Sequence, residues 1–160
     1  MTAVIRPIAE HDWPRIVALE AETYRDAGLS ESLDALASRA APATSFVLDA
    51  GAEIAGYLMA LPYPRFQCPD LARAEETAYE SANVHLHDLV VAGRYRRTGL
   101  GGRLVRHLVA VVGAQAYEMI SLVSVGGSRR FWSAHGFRAH LQIAPPGSYG
   151  PDATYMSRPT

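Results

Sequence analysis

The stretch "HLHDLVVAGRYRRTGLGGRLVRHLVAVV", residues 85–112, joins an apolar run to a glycine-rich turn and then to a helical pattern. The run up to Val91 predicts a buried strand, and the residues from Gly101 onward have the apolar spacing of a helix. Amides at a helix start bind anions, glycine lets a phosphate approach the main chain, and Arg96 and Arg97 can add charge-assisted bonds. The pattern favours a pyrophosphate cradle, although a plain strand–helix turn with solvated arginines also fits it.

Two common nucleotide-binding loops do not fit this turn. A P-loop requires the lysine of GxxxxGK[ST], and all 15 basic residues of this chain are arginine. A dinucleotide fingerprint, GxGxxG, would need glycine where the chain has Leu104, and it usually follows the first strand of its fold. Both alternatives are therefore excluded by named residues.

Length and composition indicate an ordinary globular protein. The 160 residues predict one domain, residues 1–160, with one core. A net charge of −1 predicts neither a nucleic-acid nor a membrane partner. The lone cysteine, Cys68, excludes an intramolecular disulfide framework and a cysteine-rich zinc site, and we expect no metal. The chain shows neither the apolar core of a signal peptide nor a membrane-spanning run, so we expect a cytoplasmic protein.

Strand and helix patterns alternate along the chain. Strands are predicted at residues 3–8, 45–50, 53–63, 82–91, 117–125, 137–143 and 152–158, and helices at residues 10–24, 30–39, 101–115 and 128–135. The segment 62–82 holds three prolines and a polar stretch, and it is predicted to be a long loop. This alternation predicts an α/β (α+β) protein with helices packed on a sheet.

The segment RRTGLG, residues 96–101, resembles the Arg/Gln-x-x-Gly-x-Gly/Ala signature of the Gcn5-related N-acetyltransferases, the GNAT superfamily. SRRFWSAHGF, residues 128–137, is similar to a later segment of that family, and VIRPIAEHDWPRIVALE, residues 4–20, is similar to its opening strand and helix. The order of elements matches over nearly the whole chain. The resemblance implies a single-domain GNAT fold, a mixed sheet of six to seven strands flanked by helices and splayed at its central strands.

The resemblance also implies a cosubstrate, acetyl-CoA, and an amine acceptor. The pyrophosphate of acetyl-CoA would lie on the amides that follow Arg96. Its pantetheine arm would pair with the main chain of the central strand, which a bulge and the splay would expose. The residues expected to bind acetyl-CoA are Leu89, Val90, Val91, Arg96, Arg97, Thr98, Gly99, Leu100, Gly101, Gly102, Phe131 and Trp132.

Acetyl transfer to an amine requires a base, because an alkyl ammonium loses its proton only near pH 10. His85 and His87 are the candidates. They are two residues apart in the predicted strand and so share a face, whereas Asp88 is expected to face the other way. Both histidine positions match places where GNAT relatives carry a catalytic glutamate. The alternative is that both histidines are buried, hydrogen-bonded and inert.

The family's usual acid is absent from this chain. Trp132 stands where the resemblance implies a tyrosine, and an indole N–H cannot protonate a thiolate. Tyr149, between the last two strands, is the candidate acid. The predicted function is acetyl transfer to a primary amine of a small molecule or peptide by direct attack in a ternary complex. The alternative is a catalytically weak acyl-CoA sensor or interaction domain, and the final strand and helix faces would allow a homodimer.

Overall fold

Residues 2–160 of the computed structural model form seven strands and four helices. The strands are β1 Val4–Pro7, β2 Phe46–Asp49, β3 Ile54–Pro62, β4 Asn83–Val91, β5 Met119–Ser124, β6 Arg138–Ala139 and β7 Thr154–Pro159. The helices are α1 Trp13–Tyr24, α2 Leu33–Ser38, α3 Leu100–Ala114 and α4 Arg129–Ala134. The predicted α/β architecture and strand number are confirmed.

The strands form one sheet in the order β1-β2-β3-β4-β5-β7-β6. Every neighbouring pair is antiparallel except β4 and β5, which are parallel and joined through α3. Helix α1 packs against β3 and β4, and α3 packs against β4. The longest central strands are thereby covered, and β3 is buried along nearly its whole length.

The sheet splays between its two parallel strands. Only Asn83–His85 of β4 pairs with β5, opposite Met119–Ser121. Beyond that point β4 continues to pair with β3 as far as Val91, and β5 continues to pair with β7 as far as Ser124. The facing edges of the two strands therefore separate and leave main-chain groups without a ladder partner on that side. This is the splay that the resemblance implied.

A β-bulge in β4 changes which side chains share a face. Met59 pairs with Asp88 but Ala60 pairs with Leu86, so His87 is an extra residue in β4. His85 pairs with Leu61, two residues along β3 from Met59, and opposed residues share a face. Asp88 therefore lies on the same face as His85. The expectation that Asp88 faces away from the histidines is wrong, because simple alternation ignores the bulge.

Two local predictions needed adjustment. The helix predicted from residue 30 begins at Leu33, with Oγ of Ser32 accepting a hydrogen bond from the amide of Ala35 at 3.2 Å. The strand predicted at residues 137–143 shortens to β6. Within residues 2–160, the long loop carries neither helix nor strand, and none of the helices is long and apolar enough to span a membrane.

Candidate active site

The splay opens into a cavity of about 410 Å³. One wall is the separated end of β4, the opposite wall is the end of β5, and Gly101 at the start of α3 lies between them. The α1–α2 connection and Tyr149 line the remaining side. The ionisable side chains among its described lining residues are Tyr24, Glu31, His87, Asp88 and Tyr149, with no arginine. The walls are therefore neutral or acidic.

His87 is held by a carboxylate from the α1–α2 connection. Its Nε2 lies 2.6 Å from Oε2 of Glu31, and both side chains are almost completely buried. Within the described part of the chain, Nδ1 of His87 is buried and has no hydrogen-bond partner. An ionised carboxylate only accepts hydrogen bonds, so a neutral His87 carries its proton on Nε2. The free lone pair is then on Nδ1, the atom suited to accept a proton.

Arg39, which directly follows α2, completes this arrangement. Its side chain is fully buried, and its guanidinium lies 3.2 Å from Oε1 of Glu31. The same guanidinium pairs with Glu75 and donates to the carbonyls of Asp70, at 2.7 Å, and Arg73, at 2.5 Å. Arg39 therefore ties the carboxylate that holds His87 to the long loop between β3 and β4.

Asp88 occupies a second buried cluster beside the cavity. Its carboxylate accepts hydrogen bonds from the hydroxyls of Tyr24 and Tyr57, each at 2.6 Å. Burial raises the pKa of Asp88 to about 6, despite the two phenol donors and nearby His87, which lower it. Asp88 is thus a carboxylate near neutral pH that anchors Tyr24 at the cavity wall.

His85 lies apart from the cavity lining. Its Nδ1 is 2.8 Å from Oγ of Ser121, and its ring stacks on Tyr155. Burial, with smaller contributions from the neighbouring His87 and Arg39, lowers the pKa of His85 to about 3. A histidine with that pKa is a weak base at neutral pH. Of the two histidines, the structure brings His87 to the cavity.

Tyr149 also reaches the cavity, but its proton is already engaged. The hydroxyl donates to the carbonyl of Pro69 at 2.8 Å. Burial raises the pKa of Tyr149 well above the usual value of a phenol. Both observations oppose proton delivery from this hydroxyl. The hydrogen bond does join the β6–β7 connection to the long loop after β3.

The loop before α3 has an unusual backbone. Gly99 caps the helix at φ +80°, and the preceding Arg97 also has a positive φ of 62°. The amides of residues 97–102 find no acceptor among residues 2–160. Nε of Arg96 donates to the carbonyl of Val91 at 3.1 Å, and Thr98 donates its hydroxyl proton to the carbonyl of Tyr95. Six consecutive amides without an acceptor, at the start of a 15-residue helix, are suited to binding an anion.

The other predicted donor-site residues surround the same opening. Leu89 and Val91 line the cavity, and Val90 is buried between them. Phe131 is 37% exposed and lies edge-to-face with Trp132, with ring centroids 4.9 Å apart. Trp132 lines the cavity and packs on Phe137, so its ring is a wall of the site. The structure thus gathers the strand, loop and aromatic parts of the predicted donor site.

A family model for the acetyltransferase (GNAT) family matches residues 8–137. The chain belongs to this family. It is an N-acetyltransferase, and acetyl-CoA is its acetyl donor. The predictions of the superfamily, the enzyme class and the cosubstrate are confirmed.

Solved structures of other proteins show the same fold. The acetyltransferase is similar to the loading GNATL domain of CurA from Lyngbya majuscula, with TM-score 0.80, 16% identity and coverage of 99% of this chain and 98% of that one. The ribosomal-protein-S18-alanine N-acetyltransferase from Escherichia coli gives TM-score 0.72 at 17% identity, with coverage of 99% of this chain and 94% of that one. N-acetylglutamate synthase from Neisseria gonorrhoeae, complexed with coenzyme A and N-acetyl-glutamate, gives TM-score 0.74 at 16% identity, with coverage of 99% of this chain and 35% of that one. No curated protein sequence matches.

Sequence reasoning missed three residues of this site. Glu31 and Arg39 come from the α1–α2 region, and Tyr24 comes from the end of α1. A glutamate in a connection and an arginine after a helix both look like solvated residues in sequence. A usable signal is the polarity of residues 30–32, Ser-Glu-Ser, at the start of the predicted helix. It is typical of a helix start but does not indicate the contact with β4.

Proposed function

We propose that this acetyltransferase transfers the acetyl group to a primary amine of a small molecule or peptide, by direct attack in a ternary complex with His87 as the base. The observation that carries the proposal is the buried His87–Glu31 pair on the cavity wall, with Nδ1 of the histidine free. The cavity also reaches the main chain of β4 and Gly101. One space thus adjoins both a base and the donor-binding surface.

The residues present fit acetyl-CoA. The free amides of residues 97–102 suit a pyrophosphate, and Arg96 and Arg97 add positive charge beside them. The β4 main chain from Leu89 to Val91 has no ladder partner on the β5 side and suits a pantetheine arm with amide groups. A Cβ on Gly101 would lie 3.6 Å from the Phe131 ring, so the helix start is open but closely bordered.

The charges of the wall suit an ammonium acceptor. Glu31 and Asp88 line the cavity, and the described lining includes no arginine that would attract an anion. A positively charged amine is therefore favoured over an acidic acceptor. Glu75, in the long loop after β3, is paired with Arg39. The attraction of the acceptor is therefore assigned to the cavity wall rather than to this loop.

The proton chemistry follows from the same atoms. Nδ1 of His87 accepts a proton from the ammonium and frees the nitrogen lone pair, while Glu31 stabilises the imidazolium that forms. When bound, acetyl-CoA supplies a thioester whose carbonyl carbon bonds to the amine nitrogen as its carbon–sulfur bond breaks. The net change is ammonium plus thioester to amide, thiol and one proton. Tyr149, whose hydroxyl donates to Pro69, is not used as the acid in this scheme.

A binding experiment tests the donor site first. Thermal-shift titrations with acetyl-CoA, CoA and ATP are run on the wild type, Gly101→Glu and the matched control Gly101→Ala. Acetyl-CoA and CoA should stabilise the wild type and the alanine variant, whose Cβ meets only ordinary contacts, whereas ATP should not. The glutamate places negative charge at the amides and should abolish the shift. Equal shifts in all three proteins would contradict this donor site.

A turnover experiment tests the base. CoA release from acetyl-CoA is measured with a panel of primary amines for the wild type, His87→Gln and the control His140→Gln. His140 contacts Ser157 and lies outside the cavity lining, so its variant should keep normal turnover. The His87 variant should lose about a hundredfold in kcat, the usual contribution of a general base. Wild-type binding of CoA without release from any amine would instead support the sensor alternative.

A further inference from the structure

We infer that Glu31 and Arg39 are positioning residues for the reaction, holding His87 with its proton on Nε2 and its proton-accepting lone pair on Nδ1. This inference rests on the proposed function, in which His87 is the base. It adds two residues outside the strand–loop–helix segment that carries the family resemblance. In this role both act through His87.

Glu31 determines which ring nitrogen is free. Its Oε2 lies 2.6 Å from Nε2 of His87, and the two side chains are only 4% and 2% exposed. Nδ1 finds no alternative acceptor among the described residues. The tautomer with Nε2–H is then the one that satisfies both groups. The opposite tautomer would place a lone pair against a carboxylate oxygen.

The position of Glu31 is itself held from two sides. Its amide donates to Oε2 of Glu20 at 2.7 Å, and Oγ of Ser30 donates to the same carboxylate. Its Oε1 faces the guanidinium of Arg39. A guanidinium can only donate, so Oε1 of Glu31 accepts from Arg39. The contacts with Arg39 and His87 together fix the orientation of the carboxylate.

Arg39 also connects the base to the loop that borders the cavity. It donates to the carbonyls of Asp70 and Arg73, and Leu71 between them lines the cavity. Movement of this loop would therefore be transmitted through one guanidinium to Glu31. Arg39 thus contacts both the carboxylate that holds His87 and the loop that borders the cavity.

The first test is spectroscopic and needs no ligand. Long-range ¹H–¹⁵N NMR of the histidine rings distinguishes the two neutral tautomers, and His87→Asn assigns the His87 signals. Wild type at pH 8 should show the Nε2–H form. In Glu31→Gln the side-chain amide can donate to Nε2, so the Nδ1–H form should become populated. Glu20→Gln is the matched control, since its amide oxygen can still accept from the Glu31 amide while the charge is removed without any contact to His87, and it should retain the wild-type tautomer.

The second test is kinetic. Glu31→Gln should lower kcat by about a hundredfold while leaving the KM for acetyl-CoA within about twofold, because the donor site lies on other residues. Glu31→Asp, which keeps the acceptor-only charge, should recover at least about a tenth of wild-type kcat. A merely structural role would lower kcat in Glu20→Gln and Glu31→Gln alike.

The outcomes separate this inference from the proposed function. An Nδ1–H tautomer in wild type, or unchanged tautomer and kcat in Glu31→Gln, overturns the positioning role even if His87→Gln is inactive. Full activity of His87→Gln overturns the proposed base, whatever the NMR shows. If Glu31→Gln fails to fold, the wild-type tautomer and the activity of Glu31→Asp still decide the question. Absence of the Nε2–H form in wild type, or inactivity of the aspartate variant, would contradict the positioning role.

Discussion

Replacing His85 by glutamine should change the acid sensitivity of the fold more than its stability at neutral pH. His85 titrates near 6.5 in an unfolded chain, whereas burial lowers its pKa in the folded protein to about 3. Above pH 6.5 neither the folded nor the unfolded state binds this proton, so His85 contributes no pH dependence to stability there. Below pH 6.5 the unfolded chain takes up a proton that the folded chain excludes, so the free energy of unfolding falls until about pH 3.

The expected magnitude follows from the width of that window. Each pH unit removes about 1.4 kcal/mol, so His85 lowers wild-type stability by about 3 kcal/mol between pH 6.5 and pH 4.5. Asp88 acts in the opposite direction, because its raised pKa of about 6 lets the folded chain bind a proton more tightly. Between pH 6 and pH 4.5 it adds about 2 kcal/mol. The wild-type profile alone would therefore conceal both effects.

Comparing variants isolates the histidine. Urea unfolding by circular dichroism is measured at pH 7.5, 6.0 and 4.5 for the wild type, His85→Gln and Ser121→Ala. The glutamine variant should be less stable than wild type at pH 7.5 by about 1–2 kcal/mol, the usual cost of a buried polar replacement. At pH 4.5 it should equal or exceed wild type. Ser121→Ala loses the partner 2.8 Å from His85 but keeps the titrating ring, so it should stay acid-sensitive. A stability difference between His85→Gln and wild type that is the same at all three pH values would refute the reasoning.

Three further outcomes follow from single contacts. Tyr149→Phe should keep kcat within about threefold and lose about 1–3 kcal/mol of stability, since the Pro69 carbonyl loses its donor; a hundredfold fall in kcat would identify Tyr149 as an acid after all. Asp88→Asn should raise the free energy of unfolding at pH 8 by about 1–3 kcal/mol and leave it unchanged near pH 4, because it removes a buried charge that is already neutralised in acid; equal effects at both pH values in urea unfolding would contradict this. Gly56→Ala should destabilise by about 1–3 kcal/mol and weaken CoA binding in calorimetry, because its Cβ would lie 2.5 Å from the Val90 carbonyl oxygen; unaltered CoA affinity would show that β4 does not carry the donor.

The sequence predicted the features that depend only on neighbouring residues. The apolar run to Val91, the turn at Gly99–Gly102 and the periodicity of α3 predicted a strand, a loop and a helix without any distant contact. These elements and their order were found. The free amides before α3 follow from the same local pattern, because every helix start leaves unpaired amides and the glycines leave them accessible.

The sequence could not predict the features that depend on strand register or on contacts between residues distant along the chain. The bulge at His87 arises where β3 and β4 shift register, and no residue of β4 alone reveals it. Glu31 is 56 positions from His87, and Glu75 is 36 positions from Arg39. A buried arginine is rare unless it is paired, so composition favoured a solvated Arg39. Only the packed chain shows that its acceptors surround it.

The bulge also explains how one short segment of β4 could serve both substrates. Its main chain faces the gap left by β5, where the donor arm is proposed to pair, while the extra residue directs His87 toward Glu31 on the α1 side. The proposed base is therefore not held by the strand alone. Glu31 lies in the α1–α2 connection that lines the cavity, and Arg39 pairs with the loop whose Leu71 lines it, so a change in those segments alters both the pocket and the contacts of His87. Exchange of the loop after β3 should then preserve kcat only if the acceptors of Arg39 are retained.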